Sequence, residues 1–115
     1  MDVTKIVINR DYGGFDLSDE AYSFIAKKKG WQHACDDYDY SYFIVDSNDY
    51  KYACDLNRDD PDLIQCIETL GDAADGHHSE LKIVEIPSDV DWIICEYDGI
   101  EWIAERHRTW QWHPT

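Results

Sequence analysis

The sequence predicts an α+β domain with a mainly antiparallel sheet and two helices. Three observations point there. Two segments carry apolar residues at helical spacing between recognisable caps. Several short runs are rich in β-branched and aromatic residues. Asp98-Gly99 lies between two such runs, the strongest short hairpin signal in the chain. Strands mixed with two helices, one of them between strands, fit the α+β class. At 115 residues the chain suits a single domain, residues 1–115. Five tryptophans, eight tyrosines and three phenylalanines argue against disorder.

The elements follow in order. Residues 4–10, TKIVINR, read as a strand with apolar residues on both faces (Ile6 and Ile8 on one, Val7 on the other), as for an interior strand. Tyr12-Gly13-Gly14-Phe15 then breaks the pattern. The first helix starts at Ser18, an N-cap followed by Asp19 and Glu20, where the helix dipole favours carboxylates. Ala21, Tyr22, Phe24 and Ile25 form its buried stripe, and Lys27–Lys29 with Gly30 close it. Residues 31–60 are less patterned. Tyr40 to Val45 and Tyr50 to Leu56 suggest two strands joined by the turn residues Asp46-Ser47-Asn48-Asp49. The second helix opens on Asp60-Pro61, carries Leu63, Ile64, Ile67, Leu70 and Ala74 at helical spacing, and stops at Gly76. Gly71 falls inside that pattern at a modest cost.

Leu81 to Ile86 reads as a strand ended by Pro87. Around Asp98-Gly99 a two-residue loop pairs Tyr97 with Ile100, Glu96 with Glu101, Cys95 with Trp102 and Ile93 with Ala104. The face holding Tyr97, Ile100, Cys95, Trp102, Ile93 and Ala104 is the expected core face. Ile100, Ile103, Ala104 and His107 also fit a helical period, so a helix over 100–107 competes with the hairpin. The tail 105–115, dense in Trp and His, is expected to dock on the domain.

Charge restricts function. Twenty-five acidic residues against ten basic ones give a net charge of −15. A phosphate backbone is gripped by Lys and Arg, so direct nucleic-acid binding is not expected, nor is binding to anionic membranes. No apolar stretch approaches the roughly 20 residues that span a bilayer. MDVTKIVINR lacks the basic-then-apolar layout of a secretion leader, and the four cysteines form no CxxC pair, so a reduced, cytoplasmic setting is expected.

The acidity is concentrated. From Asp36 to Asp62 nine aspartates face two basic residues, Lys51 and Arg58, with five tyrosines between them. Asp36, Asp37, Tyr38, Asp39, Tyr40, Asp46, Asp49 and Asp59, with Glu96, Asp98 and Glu101 at the hairpin tip, are the candidate contact surface for a protein with a basic face. The duller reading is a solvated acidic loop region. Glu96 and Glu101 stand opposite one another, which is destabilising unless something meets them. They would either splay into water or perturb each other for acid/base or cation chemistry.

An alternative site for a small molecule or nucleotide signal uses Arg10, Tyr12, the Gly13-Gly14 turn, Arg106, His107, Arg108 and Trp110, where cations and aromatics could stack on and neutralise a nucleotide. Whether Arg10 and Arg106–Arg108 converge on one pocket decides between the two. No catalytic residue, cofactor or metal is assigned. GxSxG, Walker A, GxGxxG and HExxH are all missing from the sequence. Asp46, Asn48 and Tyr50 would take the first positions of an EF-hand-like loop, but Lys51 stands at the required glycine and Asn57 at the required glutamate. His33 and Cys35 have no second pair at zinc spacing.

Three phrases carry a resemblance: Ile8-Asn9-Arg10 running into Tyr12-Gly13-Gly14-Phe15 with Leu17-Ser18; Arg58-Asp59-Asp60-Pro61 with Leu63; and Glu96-Tyr97-Asp98-Gly99 through Glu101 and Ile103-Ala104-Glu105 to His107-Arg108-Thr109-Trp110. In this order they resemble a family of small acidic proteins encoded by bacteriophages and prophages. The similarity spans most of the chain apart from 31–56. It implies expression inside a bacterial host and a stoichiometric binder of a host protein, such as a nucleic-acid-handling or defence factor. No site residues carry over from it.

Overall fold

The computed structural model describes residues 2–106. Seven strands pair only antiparallel, in three small sheets, and two α-helices pack with them in one α+β domain. The first strand, β1 (Val3–Asn9), pairs with β5 (Leu81–Pro87). Its other edge is held by Val7 N–H donating to the Arg58 carbonyl at 2.9 Å. Ile6, Val7 and Ile8 are all buried, so both faces of this strand are covered as the sequence predicts.

Helix α1 (Asp19–Lys29) begins where expected, with Ser18 Oγ accepting from the Ala21 N–H. Gly30 ends it at φ 74°, a left-handed conformation that glycine takes without penalty. Its buried face is Ala21, Tyr22, Ile25 and Ala26, while Phe24 is only half-buried. The 3.6-residue period carries Ala26 inward beside Tyr22. Helix α2 (Pro61–Leu70) starts from the Asp60 cap, whose carboxylate accepts from the Asp62 and Leu63 N–H groups. It stops at Leu70 and does not run on to Gly76. Gly71 adopts φ 57°, which breaks the helix, and Gly71–Ala74 form a 3-10 turn. Ala74 is buried all the same, which explains why it fits the periodic pattern.

The middle segment holds strands β2 (Gln32–Cys35), β3 (Ser41–Asp46) and β4 (Asp49–Lys51) in one sheet. The β3–β4 hairpin and its Asp46–Asp49 turn are as expected, but β2 had no strong signal, and the strand expected to reach Leu56 ends at Lys51. Ala53–Asp55 are a 3-10 turn instead, with the Tyr52 N–H capped by Asp55. Phe43 is fully buried against Tyr22 and Trp31 and anchors this sheet to α1.

Strands β6 (Trp92–Tyr97) and β7 (Ile100–Glu105) form the Asp98-Gly99 hairpin in the predicted register. Both turn residues have positive φ, 55° and 93°, as a type I′ turn requires. Residues 100–105 are therefore strand, not helix. The face assignment, however, fails for Tyr97, Trp102 and Glu101, while Ile93, Cys95, Ile100 and Ala104 of the expected core face are half-buried. Tyr97 is 74% exposed and Trp102 44%, whereas Glu101 is only 6% exposed. Glu101 turns inward because it meets the partly buried Arg58 guanidinium there. His107, Arg108 and Trp110, with the rest of the aromatic tail, lie outside the described residues.

Candidate functional site

Three chain segments named by the resemblance converge on one buried knot. The Arg58 guanidinium makes a two-pronged ion pair with Glu101, at 2.6 and 2.8 Å. It also lies 3.6 Å from the centre of the Phe15 ring. Asn9, fully buried, donates its N–H to Glu101 and its side-chain amide to the Asp11 and Gly99 carbonyls, each at 2.7 Å. Its side-chain oxygen accepts from Asp11 and Glu80. These bonds tie β1 to the hairpin tip and satisfy every buried polar group involved. Among the described residues, no buried side-chain nitrogen or oxygen lacks a partner.

Glu101 is thus withdrawn from the expected contact surface. Nor do Glu96 and Glu101 form a coupled pair: Glu96 is exposed and accepts from the Gly99 N–H at 2.8 Å, capping the turn, while Glu101 is neutralised by Arg58.

Beside the knot lies an open cleft of about 940 Å³. One wall is the Gly13-Gly14 turn and the 75–78 loop, and the other is the 36–40 loop. The two candidate regions that were separate in sequence therefore share one depression. Gly13 is there for close packing, since a Cβ on it would fall 1.9 Å from the Cβ of His78. A Cβ on Gly99 would likewise fall 2.3 Å from the Tyr12 carbonyl oxygen. Gly13 and Gly99 thus let chain segments approach closely, whereas Gly14 takes φ 94° with open space beside it.

The 36–40 loop is built around Asp36. Its carboxylate accepts from the Tyr38 and Tyr40 N–H groups, and its N–H donates to the Tyr40 carbonyl. Asp39 sits at φ 65°. The tight loop turns Tyr38 and Tyr40 into solvent, 81% and 67% exposed. On the outer face of the β2–β3–β4 sheet, Tyr42 packs edge-on against Tyr50 and beside Tyr52, next to Asp36. Asp46 and Asp49 sit at the other end of β3, with Asp46 accepting from the Asn48 N–H. Asp59 is exposed at the approach to α2, whereas Asp60 and Asp62 are bound by Lys29 at 2.7 and 3.1 Å. Burial lowers the Lys29 pKa, but hydrogen bonds to these two aspartates outweigh it and leave the pKa raised. The belt is therefore divided, with Lys29 partly offsetting the charge at its α2 end. Asp98 and Tyr97 stay exposed at the hairpin tip, close to the exposed Tyr12.

Of the alternative ligand site, the two arginines among the described residues lie apart. Arg10 donates to the Glu101 carbonyl at 2.9 Å near the hairpin tip, while Arg106 reaches Asp91 at 3.4 Å at the opposite end of the same hairpin. Neither arginine lines the cleft.

A group that sequence reasoning missed lines the cleft wall. Ser41 Oγ donates to Asp19, lies 2.9 Å from His33 Nε2 and 3.5 Å from Cys35 Sγ. His33 Nδ1 is 2.9 Å from Ser23 Oγ, and its ring stacks on Tyr22. The wiring is not that of a hydrolase triad, in which the acid orients the histidine, because here Asp19 binds the serine. A His-x-Cys pair on a strand was the available signal, but it has meaning only once β2 is recognised.

No helix among the described residues is long and apolar enough to cross a membrane. Comparisons with protein-family models, with curated proteins and with solved structures return no match.

Proposed function

We propose that this protein acts by stoichiometric binding to a basic protein of a bacterial host, a nucleic-acid-handling or defence factor, through the acidic, tyrosine-rich surface around the cleft. The resemblance to phage-encoded proteins supplies the host setting, and the reading places the protein in the host cytoplasm. The observation that carries the reading is the surface chemistry of 36–52. Tyr38, Tyr40, Tyr50 and Tyr52 are each about half or more exposed, among carboxylates at Asp37, Asp39, Asp46 and Asp49 that have no ion-pair partner among the described residues. Tyrosine supplies large contact area at small entropic cost and is enriched at interfaces. Unpaired carboxylates around it steer a cationic partner and set orientation. A merely solvated acidic loop would not need tyrosines held outward by a hydrogen-bonded turn.

The test is affinity capture from bacterial lysate, followed by kinetics with the captured protein. The association rate should fall at least about tenfold between ~50 mM and ~500 mM salt, since exposed charges are screened over about 10 Å at 0.1 M. Tyr38→Ala with Tyr40→Ala should speed dissociation, while Asp37→Asn with Asp39→Asn should slow association. A partner whose association is indifferent to salt and to these four residues would overturn the reading.

A further inference from the structure

The geometry points to a binding site for a zinc-class divalent cation at the cleft wall, held by Asp19, His33 and Cys35. This stands apart from the protein-binding reading. One carboxylate oxygen of Asp19, a ring nitrogen of His33 and the Cys35 sulfur all lie within 4.8 Å of one another. They come from two elements. His33 and Cys35 are two apart on β2 and so share a face, and Asp19 opens α1. Around tetrahedral zinc, with bonds of about 2.0–2.3 Å, such atoms sit about 3.3–3.7 Å apart. The group needs to close by only about 1 Å, within reach of small side-chain rotations, and Asp19 and Cys35 are both exposed.

Ser41 Oγ already marks the focus, because it touches all three donors. The hydroxyl donates to Asp19, and its two lone pairs can accept from the His33 and Cys35 protons, so three metal-ligating groups converge on one point. A cation would bind there by displacing those protons and turning the Ser41 hydroxyl aside. The imidazole is also supported as metal-bound histidines are. Ser23 Oγ takes its Nδ1 side at 2.9 Å, which leaves Nε2 facing the group, and Tyr22 stacks on the ring at 18°.

The donor set selects the metal. Sulfur, nitrogen and oxygen together suit zinc, whereas calcium and magnesium require oxygen throughout. Three protein ligands leave a fourth position, and Asp19, Cys35 and Ser41 all line the cleft, so that position faces open space. Asp16, Asp39 and Asp75 line the same cleft and concentrate cations there.

The experiment is a cobalt(II) titration of the reduced, chelator-treated, tag-free full chain. One equivalent should produce a thiolate-to-cobalt charge-transfer band with visible bands of tetrahedral cobalt, and zinc(II) should abolish both. Cys35→Ser should remove the charge-transfer band. His33→Ala and Asp19→Asn should weaken binding by at least about tenfold, and Ser23→Ala by about 10–100-fold. Cys54→Ser and the double variant His77→Ala with His78→Ala should leave it unchanged. As a measurement on the unaltered protein, zinc should slow alkylation of Cys35 and not of Cys54. The proposal is overturned if the wild-type chain shows no thiolate band, if the band survives Cys35→Ser, if it depends on His77 and His78, or if zinc leaves Cys35 alkylation unchanged.

Discussion

Tyr22 shows how one buried side chain sets a limit on the conditions this protein tolerates. Its ring is 3% exposed and its oxygen accepts from the Ala53 N–H at 2.9 Å. Burial pushes its pKa up to about 12, and burial likewise pushes the Cys66 thiol up to about 11. Both groups are neutral when protonated, and the unfolded chain loses these protons at lower pH than the folded one. The stability they confer is therefore complete below about pH 9 and is lost as pH rises through 9–12. Lys29, whose pKa is raised in spite of burial by its bonds to Asp60 and Asp62, adds to the same alkaline decline. Denaturant unfolding across pH 8–12 should show a falling free energy, and Tyr22→Phe should flatten the part above about pH 10. The same variant should lose about 1–3 kcal/mol near neutral pH, since the Ala53 N–H is left unpaired in the core. An unchanged alkaline slope in Tyr22→Phe would remove Tyr22 from this account.

At the scale of elements, the β6–β7 hairpin is fastened to β1 by a pair that breaks asymmetrically. Arg58 and Glu101 side chains are 16% and 8% exposed. Replacing Arg58 with alanine leaves a carboxylate buried without its cation, which costs about 3–5 kcal/mol. Chemical unfolding of Arg58→Ala should show a loss of that size, and hydrogen exchange should show lost protection concentrated in the hairpin. A loss spread evenly over α1 and α2 would contradict it. This knot was only partly legible in the sequence. The hairpin register followed from Asp98-Gly99 because a type I′ turn dictates pairing locally. That Glu101 turns inward did not follow, because it is acceptable in the core only with Arg58, 43 residues away. Both helices were readable from caps that act within one turn. The extension of α2 past Gly71 misled because Ala74 is buried through a 3-10 turn that mimics the helical spacing. Strand β2 was missed because Gln32, His33, Ala34 and Cys35 have little intrinsic strand preference, and its partner Ser41–Asp46 recruits it. The cleft was illegible for the same reason: its walls come from segments that only tertiary packing brings together.

For the whole molecule, the net charge of −15 acts on folding as well as on partners. Ion pairing among the described residues draws on Lys5, Lys29, Arg58, Lys82 and Arg106, and leaves most carboxylates facing water and one another. Self-repulsion of this kind destabilises the compact state and is relieved by counterions. Raising salt from ~10 mM to ~0.5 M should raise the midpoint of thermal unfolding by roughly 4–8 °C, about 1 kcal/mol for a domain of this size. A midpoint that fell with salt would mean that the ion pairs outweigh the repulsion.

The Asn9–Glu101 bond has a consequence in time. The two residues are separated by 92 positions, so the buried end of β1 stays unsatisfied until nearly all of the described chain exists. Loops closed over such separations form slowly relative to local contacts. On a ribosome, the helices and the β3–β4 hairpin can settle as they emerge, while Arg58 and Asn9 remain solvated and wait for the last hairpin. Docking of that hairpin is therefore expected late, and until it occurs the Asn9 N–H and the Arg58 guanidinium lack their carboxylate partner.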